Sequence, residues 1–149
     1  MPFFYRIALS LITMLYLVTA CAPASTPQSS GSPARAAYEH VILNEGAWTP
    51  TAEMVAILEA RLPAFLAQNQ NKFNANKPPI AERLPEYKFQ YWGENINGKQ
   101  VIAVNALCRA PDNWRAQRVM VLDGGDCFFN FKYDFANDTF FDFTVNGEA

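Results

Sequence analysis

The stretch that decides the fold runs from residue 87 to residue 108 and reads YKFQYWGENINGKQVIAVNALC. Two alternating apolar and polar runs, residues 87–95 and 99–108, flank Asn97-Gly98. This dipeptide favours a two-residue β-hairpin turn because both of its residues accept a positive φ. The turn fixes a register that pairs apolar residues on one face: Tyr91 with Val104, Phe89 with Ala106, and Tyr87 with Cys108. Ile102 shares this face, which we expect to be buried.

A second hairpin is predicted over residues 127–145, after a loop at residues 109–117 and a candidate strand at residues 119–122. Residues 128–143 hold seven Phe and one Tyr in sixteen positions. A three-residue turn at residues 136–138 keeps apolar residues opposite each other, whereas a two-residue turn pairs them with polar ones. The three-residue turn therefore predicts core pairs between Tyr133 and Phe141, Phe131 and Phe143, and Phe129 and Val145.

An amphipathic helix is predicted upstream of both hairpins. Thr49 is its expected N-cap and Pro50 its first residue. Apolar residues then recur at helical spacing, at Met54, Ile57, Leu58, Leu62, Phe65 and Leu66. Pro63 lacks a backbone N–H and collides with the preceding turn, so we expect a kink or break there. Residues 41–43 predict an edge strand or a packed loop, and residues 68–85 predict a loop.

This order of elements predicts an α+β domain, with one N-terminal helix packed on a four- to five-stranded antiparallel meander. The layout resembles the cystatin-like architecture at the level of fold. The inhibitory hairpin motif of cystatins, Gln-x-Val-x-Gly, is not matched, since the nearest string is QVIAV at residues 100–104. The resemblance therefore implies a fold and does not imply protease inhibition through that motif.

The N-terminus has the layout of a secretory signal, with Arg6, an apolar run at residues 7–18, and small residues before a cysteine. A helix of about twelve residues spans roughly 18 Å, less than a bilayer core of roughly 30 Å, which disfavours a permanent membrane span. The motif Val18-Thr19-Ala20-Cys21 resembles the lipobox of bacterial lipoproteins. The resemblance implies that residues 1–20 are a signal peptide and that Cys21 is diacylated. A plain signal peptide with an incidental cysteine is the alternative.

The lipobox resemblance also implies a location in the bacterial cell envelope, held to the membrane through lipid on Cys21. In that family, Asp directly after the modified Cys tends to retain the protein in the inner membrane. Ala22 stands at this place, which implies the outer membrane if the source is Gram-negative. Residues 21–37 predict the lipidated Cys and a flexible tether with a reach of about 20–24 Å. Residues 38–149 are expected to form a single domain.

The sequence contains few residues that could form a catalytic, redox or metal site. Cys108 and Cys127 form an even pair in an exported chain, which predicts a structural disulfide. A redox-active pair is the alternative, but it lacks the Cys-x-x-Cys spacing. His40 is the single histidine, and every serine after Cys21 lies in the predicted tether, so a Ser-His-Asp site is disfavoured. We therefore predict no catalytic residue, no cofactor and no metal, and assign Asp123-Gly-Gly-Asp126 to turn chemistry rather than to calcium.

The charge balance of 12 Lys and Arg against 14 Asp and Glu argues against binding of nucleic acid. Three Phe residues fall outside the predicted core face, and with Trp92 they are candidate partner contacts: Phe128, Phe135 and Phe140. Coverage by residues 41–43 or by a loop is the alternative. These features favour a membrane-anchored envelope lipoprotein whose small domain has a binding or structural role toward a protein or cell-wall partner. An inhibitor of a periplasmic or extracellular hydrolase, such as a protease or lysozyme, is the alternative, and a small enzyme or ligand-binding protein is the third.

Overall fold

The computed structural model describes residues 37–147. Five strands form one sheet in the order β1-β2-β3-β4-β5. The strands are β1 (Glu39–Ile42), β2 (Lys88–Ile96), β3 (Lys99–Leu107), β4 (Phe128–Asp134) and β5 (Thr139–Val145), and the helices are α1 (Ala52–Gln68) and α2 (Ile80–Arg83). The predicted signal peptide, the lipobox with Cys21 and residues 22–36 of the predicted tether lie outside the described residues.

The predicted α+β class is confirmed, and two finer points are corrected. β1 pairs with β2 in parallel, so the sheet is not antiparallel throughout. The reason is that α1 connects the two strands and brings the chain back to the end of the sheet at which β1 begins. β2 therefore runs in the same direction as β1. The predicted loop at residues 68–85 also contains α2 and short 3₁₀ turns. Residues 37–147 include no helix both long enough and apolar enough to cross a membrane.

The β2–β3 hairpin has the predicted turn and register. Asn97 and Gly98 have φ values of 50° and 78°, as a two-residue turn of this type requires. Tyr91 pairs with Val104 and Phe89 pairs with Ala106. The strands begin and end within one residue of the predicted bounds, which leaves Tyr87 and Cys108 just beyond the paired residues.

The β4–β5 hairpin differs from the prediction by one residue over part of its length. Phe129 pairs with Val145 as expected, but Tyr133 pairs with Phe140 rather than with Phe141. A β-bulge opposite Phe131 accounts for the difference, because Asp142 is an extra residue in β5 with a φ of 51°. The bulge turns the side chains of both Phe140 and Phe143 toward α1.

Phe65 of α1 is the residue that these two side chains meet. Its ring stacks on Phe140 with 4.3 Å between centroids and meets Phe143 edge to face at 5.2 Å. The prediction that Phe140 lies off the core face is therefore wrong. The prediction that Phe141 lies on the core face is also wrong, since its neighbour Phe140 faces the core and successive side chains of a strand alternate.

Helix α1 begins two residues later than predicted. Its N-cap is Thr51, whose hydroxyl accepts a hydrogen bond from the Met54 N–H at 3.2 Å, and not Thr49. Of the kink or break predicted at Pro63, the break is wrong, because α1 is continuous from Ala52 to Gln68. Leu62 and Leu66 on either side of the proline are fully buried. Their burial, at roughly 1.5–3 kcal/mol each, compensates for the missing hydrogen bond.

The core lies between α1 and one face of the sheet. Six aromatic side chains of this face are at most 1% exposed: Tyr87, Phe89, Tyr91, Phe129, Phe131 and Tyr133. Helix α1 covers them with its buried leucines, and Ile80 and Leu84 extend the same cluster. All buried residues of this cluster lie between residues 55 and 133. Among residues 37–147, the helices and the sheet thus pack into one apolar core.

Candidate functional site

The opposite face of the sheet is covered in part by residues 109–124, which we name the cover loop. The predicted strand at residues 119–122 is wrong, because this segment pairs with no strand. Its backbone groups bond instead to sheet side chains. Gln90 accepts a hydrogen bond from the Val119 N–H at 2.9 Å, and the Asn105 amide donates to the Val119 carbonyl at 2.6 Å. Side-chain amides of the sheet thus replace the expected strand pairing.

Further contacts hold both halves of the cover loop. The Gln90 amide donates to the Trp114 and Gln117 carbonyls, and the Trp114 ring is buried. The Asn146 amide donates to the Val121 carbonyl at 2.7 Å and to the Asp123 carbonyl at 3.2 Å. The loop therefore has a defined path across the sheet.

The disulfide between Cys108 and Cys127 is confirmed, with 4.9 Å between the Cα atoms. It joins the end of β3 to the start of β4 and so closes the base of the cover loop. The Cys108 N–H also donates to the Cys127 carbonyl at 2.9 Å. A covalent bond and a hydrogen bond therefore fix the two ends of the loop beside each other.

A groove of about 700 Å³ lies between the cover loop and the strands β4 and β5. Polar side chains of β3 and β4 line it, namely Asn105, Asn130 and Lys132, and Trp92 and Met120 add apolar surface. Its volume is within the range of small-ligand sites, roughly 300–1,000 Å³. We take this groove as the candidate functional site.

Opposite charges are paired along the groove. The Lys132 Nζ lies 3.5 Å from a Glu94 carboxylate oxygen and 3.2 Å from an Asp142 carboxylate oxygen. Arg118 pairs with Glu45 at 3.4 Å, and its guanidinium lies 5.1 Å from the centre of the Trp92 ring. The groove therefore does not present a strong charge of either sign.

Asn130 differs from the charged residues of the groove, which are all ion-paired. Its side chain makes no hydrogen bond to any residue between 37 and 147, whereas the Asn105 amide is bonded to the cover loop. A carboxamide offers two N–H donors and one carbonyl acceptor. Asn130 can thus donate to and accept from a ligand at the same time.

The structure brings only one of the four predicted contact residues to the groove. Trp92 lines it, but the side chain is 9% exposed and its Nε1 donates to Glu94 at 2.9 Å. Phe128, Phe135 and Phe140 are half-buried and lie elsewhere, with Phe135 and Phe140 packed against the core. Sequence reasoning missed Asn130 and Met120, because only the path of the cover loop makes them groove residues.

A buried carboxylate was also missed. Glu59 of α1 is 1% exposed and lies 2.8 Å from the His40 Nδ1, while the Tyr91 hydroxyl donates to it at 3.1 Å. The Ala37 N–H donates to the other carboxylate oxygen of Glu59 at 2.6 Å. Glu59 thus bonds both to His40 in β1 and to the residue that lies two positions before this strand. In the sequence, Glu59 stands four residues after Val55 and three before Leu62, both of which are buried. This helical spacing is the signal that could have placed Glu59 on the buried face of α1.

Burial of tyrosine hydroxyls predicts a loss of stability in alkali. Burial and the nearby Glu59 raise the pKa of Tyr91 well above its ordinary value of 10.0. Burial raises the pKa of Tyr87 to about 12, and burial with a hydrogen bond to Asp138 raises the pKa of Tyr133 to about 12. These groups stay neutral in the folded state but ionise near pH 10 when unfolded. Their stabilisation is therefore complete below about pH 10 and is lost as the pH rises toward 12.

The measurement is a tyrosinate absorbance titration run beside circular dichroism. We expect the absorbance of these tyrosines to rise together with the loss of helical signal. Ionisation of all tyrosines near pH 10 with an unchanged dichroism spectrum would contradict the burial argument.

Residues 37–147 contain no group of three or more His, Cys, Asp or Glu side chains placed to hold a metal ion. Asp126 is instead ion-paired with Arg83 at 3.0 Å and with Lys77 at 2.5 Å. The residues that line the groove include no Ser, Cys or His, and its acids Glu94 and Asp142 both face Lys132. The arrangement is suited to holding a ligand by shape and by hydrogen bonds. No protein-family model, curated protein or solved structure gives a significant match to this chain.

Proposed function

We propose that this protein is a membrane-anchored envelope lipoprotein whose domain binds a segment of another protein in the groove. The observation that carries the binding role is the Asn130 amide, which lines the groove and has no partner among residues 37–147. The lipobox at Cys21 supports the anchor, and the disulfide suits an oxidising compartment. Inhibition of a hydrolase and a small enzymatic role stay predictions.

The chemistry of the groove favours a peptide over a charged ligand or a glycan. A peptide unit has one donor and one acceptor, which a carboxamide such as Asn130 can satisfy together. Paired charges at Lys132 leave no strong attraction for phosphate or for a polycation. Sugars commonly need an open aromatic face, whereas Arg118 lies over the Trp92 ring.

The test of binding is crosslinking in intact cells with the full-length protein, followed by mass spectrometry of the captured proteins. We expect Asn130→Arg to lower the capture of a specific partner by about tenfold, because the long cation fills the groove and removes the amide. The matched control is Asn95→Arg, which adds the same side chain at an exposed position of β2 outside the groove. Equal capture by both variants would overturn the groove as the binding site.

The test of the anchor is separate. We expect Cys21→Ser to remove the acyl mass from the N-terminus and to move the protein from the membrane fraction to the soluble fraction. A wild-type protein that carries no acyl group on Cys21 would overturn the anchor and leave the groove unaffected.

A further inference from the structure

Two large apolar side chains of the cover loop are almost fully exposed, Met120 at 88% and Leu122 at 87%. They alternate with Val119 and Val121, which are partly buried. The Val119 backbone is bonded to Gln90 and Asn105, and the Val121 carbonyl is bonded to Asn146. These bonds keep the backbone from turning the two side chains inward. Two exposed apolar side chains, two residues apart on a fixed backbone, are a small apolar patch that a partner surface can cover.

The exposed pair lies at the end of the sheet where the chain enters the domain. Strand pairing places Glu39, Lys88, Leu107 and Phe128 in one row across β1 to β4, and the Asn146 N–H donates to the Phe128 carbonyl. The Asn146 side chain then holds the carbonyls on either side of Leu122. Ala37 precedes Glu39 by two residues and so belongs to the same end.

Two arginines of the cover loop are each paired with a carboxylate, Arg115 with Glu39 at 2.5 Å and Arg118 with Glu45 at 3.4 Å. Arg115 and Arg118 are about half exposed, with side-chain exposures of 57% and 47%. Because these charges are paired, the contact proposed below depends on the exposed apolar side chains and not on a positive charge.

We propose that Met120 and Leu122 are a second membrane contact, which inserts into the interface of the bilayer that holds the anchor. The proposal rests on the anchored lipoprotein described above. The predicted tether, with a reach of about 20–24 Å, keeps the domain within reach of the bilayer. Two side chains bind lipid weakly on their own, but a tether raises the local concentration to about millimolar, where a weak contact is occupied.

A second copy of the chain is the less favoured occupant. A stable dimer buries about 1,200 Å² or more in total, which is more than two side chains can supply. A bilayer does not require a matching surface, so a small apolar patch is sufficient.

The test measures peroxide oxidation of Met120 by mass spectrometry. Residues 22–149 with an N-terminal histidine tag are attached to phosphatidylethanolamine and phosphatidylglycerol vesicles that contain a nickel-chelating lipid. This attachment replaces the anchor, so the result does not depend on whether Cys21 is acylated. We expect Met120 to oxidise about fivefold more slowly on vesicles than in buffer. Met54, the other methionine of this fragment, is packed against the core and should oxidise at one rate in both states.

Leu122→Asp should abolish the protection of Met120, because a carboxylate opposes insertion into lipid. Gln100→Asp adds the same charge at the opposite end of the sheet and should leave the protection unchanged. Equal oxidation of Met120 with and without vesicles would overturn the proposal. Protection that appears in buffer at high protein concentration would also overturn it, in favour of a second copy.

Discussion

Asp126→Asn is expected to lower the free energy of unfolding by about 3–5 kcal/mol, because the buried Arg83 then keeps as its ionic partner only the exposed Glu86, at the longer distance of 3.5 Å. The Asp126 carboxylate is 3% exposed and lies 3.0 Å from the guanidinium of Arg83, which is 8% exposed. The carboxylate also accepts from Lys77 at 2.5 Å, and the Tyr87 hydroxyl donates to the Asp126 carbonyl. Asparagine keeps the shape but not the charge that Arg83 requires.

Urea unfolding at neutral pH measures this loss. The matched control is Glu39→Gln, which removes a carboxylate from an ion pair with Arg115 in which both side chains are about half exposed. We expect the control to change the free energy of unfolding by less than about 1 kcal/mol. Similar losses in the two variants would show that burial does not distinguish these pairs.

The Asp126 carboxylate also predicts that the free energy of unfolding falls in acid. Burial alone would raise the pKa of Asp126, but the hydrogen bonds from Lys77 and Arg83 outweigh it and lower the pKa below its ordinary value of 3.8. The stabilisation is therefore present above about pH 4 and is lost as the pH falls through the lowered pKa. Asp126→Asn should make the free energy of unfolding depend less on pH in this range.

Removal of the disulfide by Cys108→Ala together with Cys127→Ala is expected to cost about 3 kcal/mol, since the bond closes a loop of about 20 residues. It should also expose the cover loop to trypsin at Arg115 and Arg118. We expect cleavage there to become about tenfold faster, because the two ends of the loop are then held by hydrogen bonds alone.

Urea unfolding and a trypsin time course together test this expectation. Lys99, in the turn end of the β2–β3 hairpin, serves as the internal reference, because its cleavage should change little. Unchanged stability with unchanged cleavage of the cover loop would mean that Gln90, Asn105 and Asn146 are sufficient to hold it.

Local turn chemistry and alternation predicted the parts of the fold that depend on neighbours in sequence. Asn97-Gly98 set the register of β2 and β3, and the paired cysteines indicated the disulfide. The β5 bulge was not predictable in this way, because Asp142 adopts a positive φ where glycine is the expected signal. Its cause is the packing of Phe140 and Phe143 on Phe65, which only the tertiary structure shows.

The candidate site was predicted less well than the fold. Residues 119–122 have the composition of a strand, yet Gln90 and Asn105 bond to their backbone across the face of the sheet. No local pattern distinguishes such a segment from a strand, because the partners lie 14 or more residues away. Trp92 was identified by its residue type alone, whereas Asn130 became a candidate only when the groove was seen.

The β5 bulge also affects how neighbouring copies meet. β5 is an edge of the sheet, and a regular edge strand can pair with the edge of another molecule and start aggregation. Asp142 interrupts the spacing of the outward N–H and carbonyl groups, and Lys72 donates to the Phe143 carbonyl at 3.0 Å. The bulge and this hydrogen bond both interrupt the edge near the middle of β5. Two molecules are therefore disfavoured from pairing through their β5 edges, because such pairing needs the regular ladder that the bulge breaks.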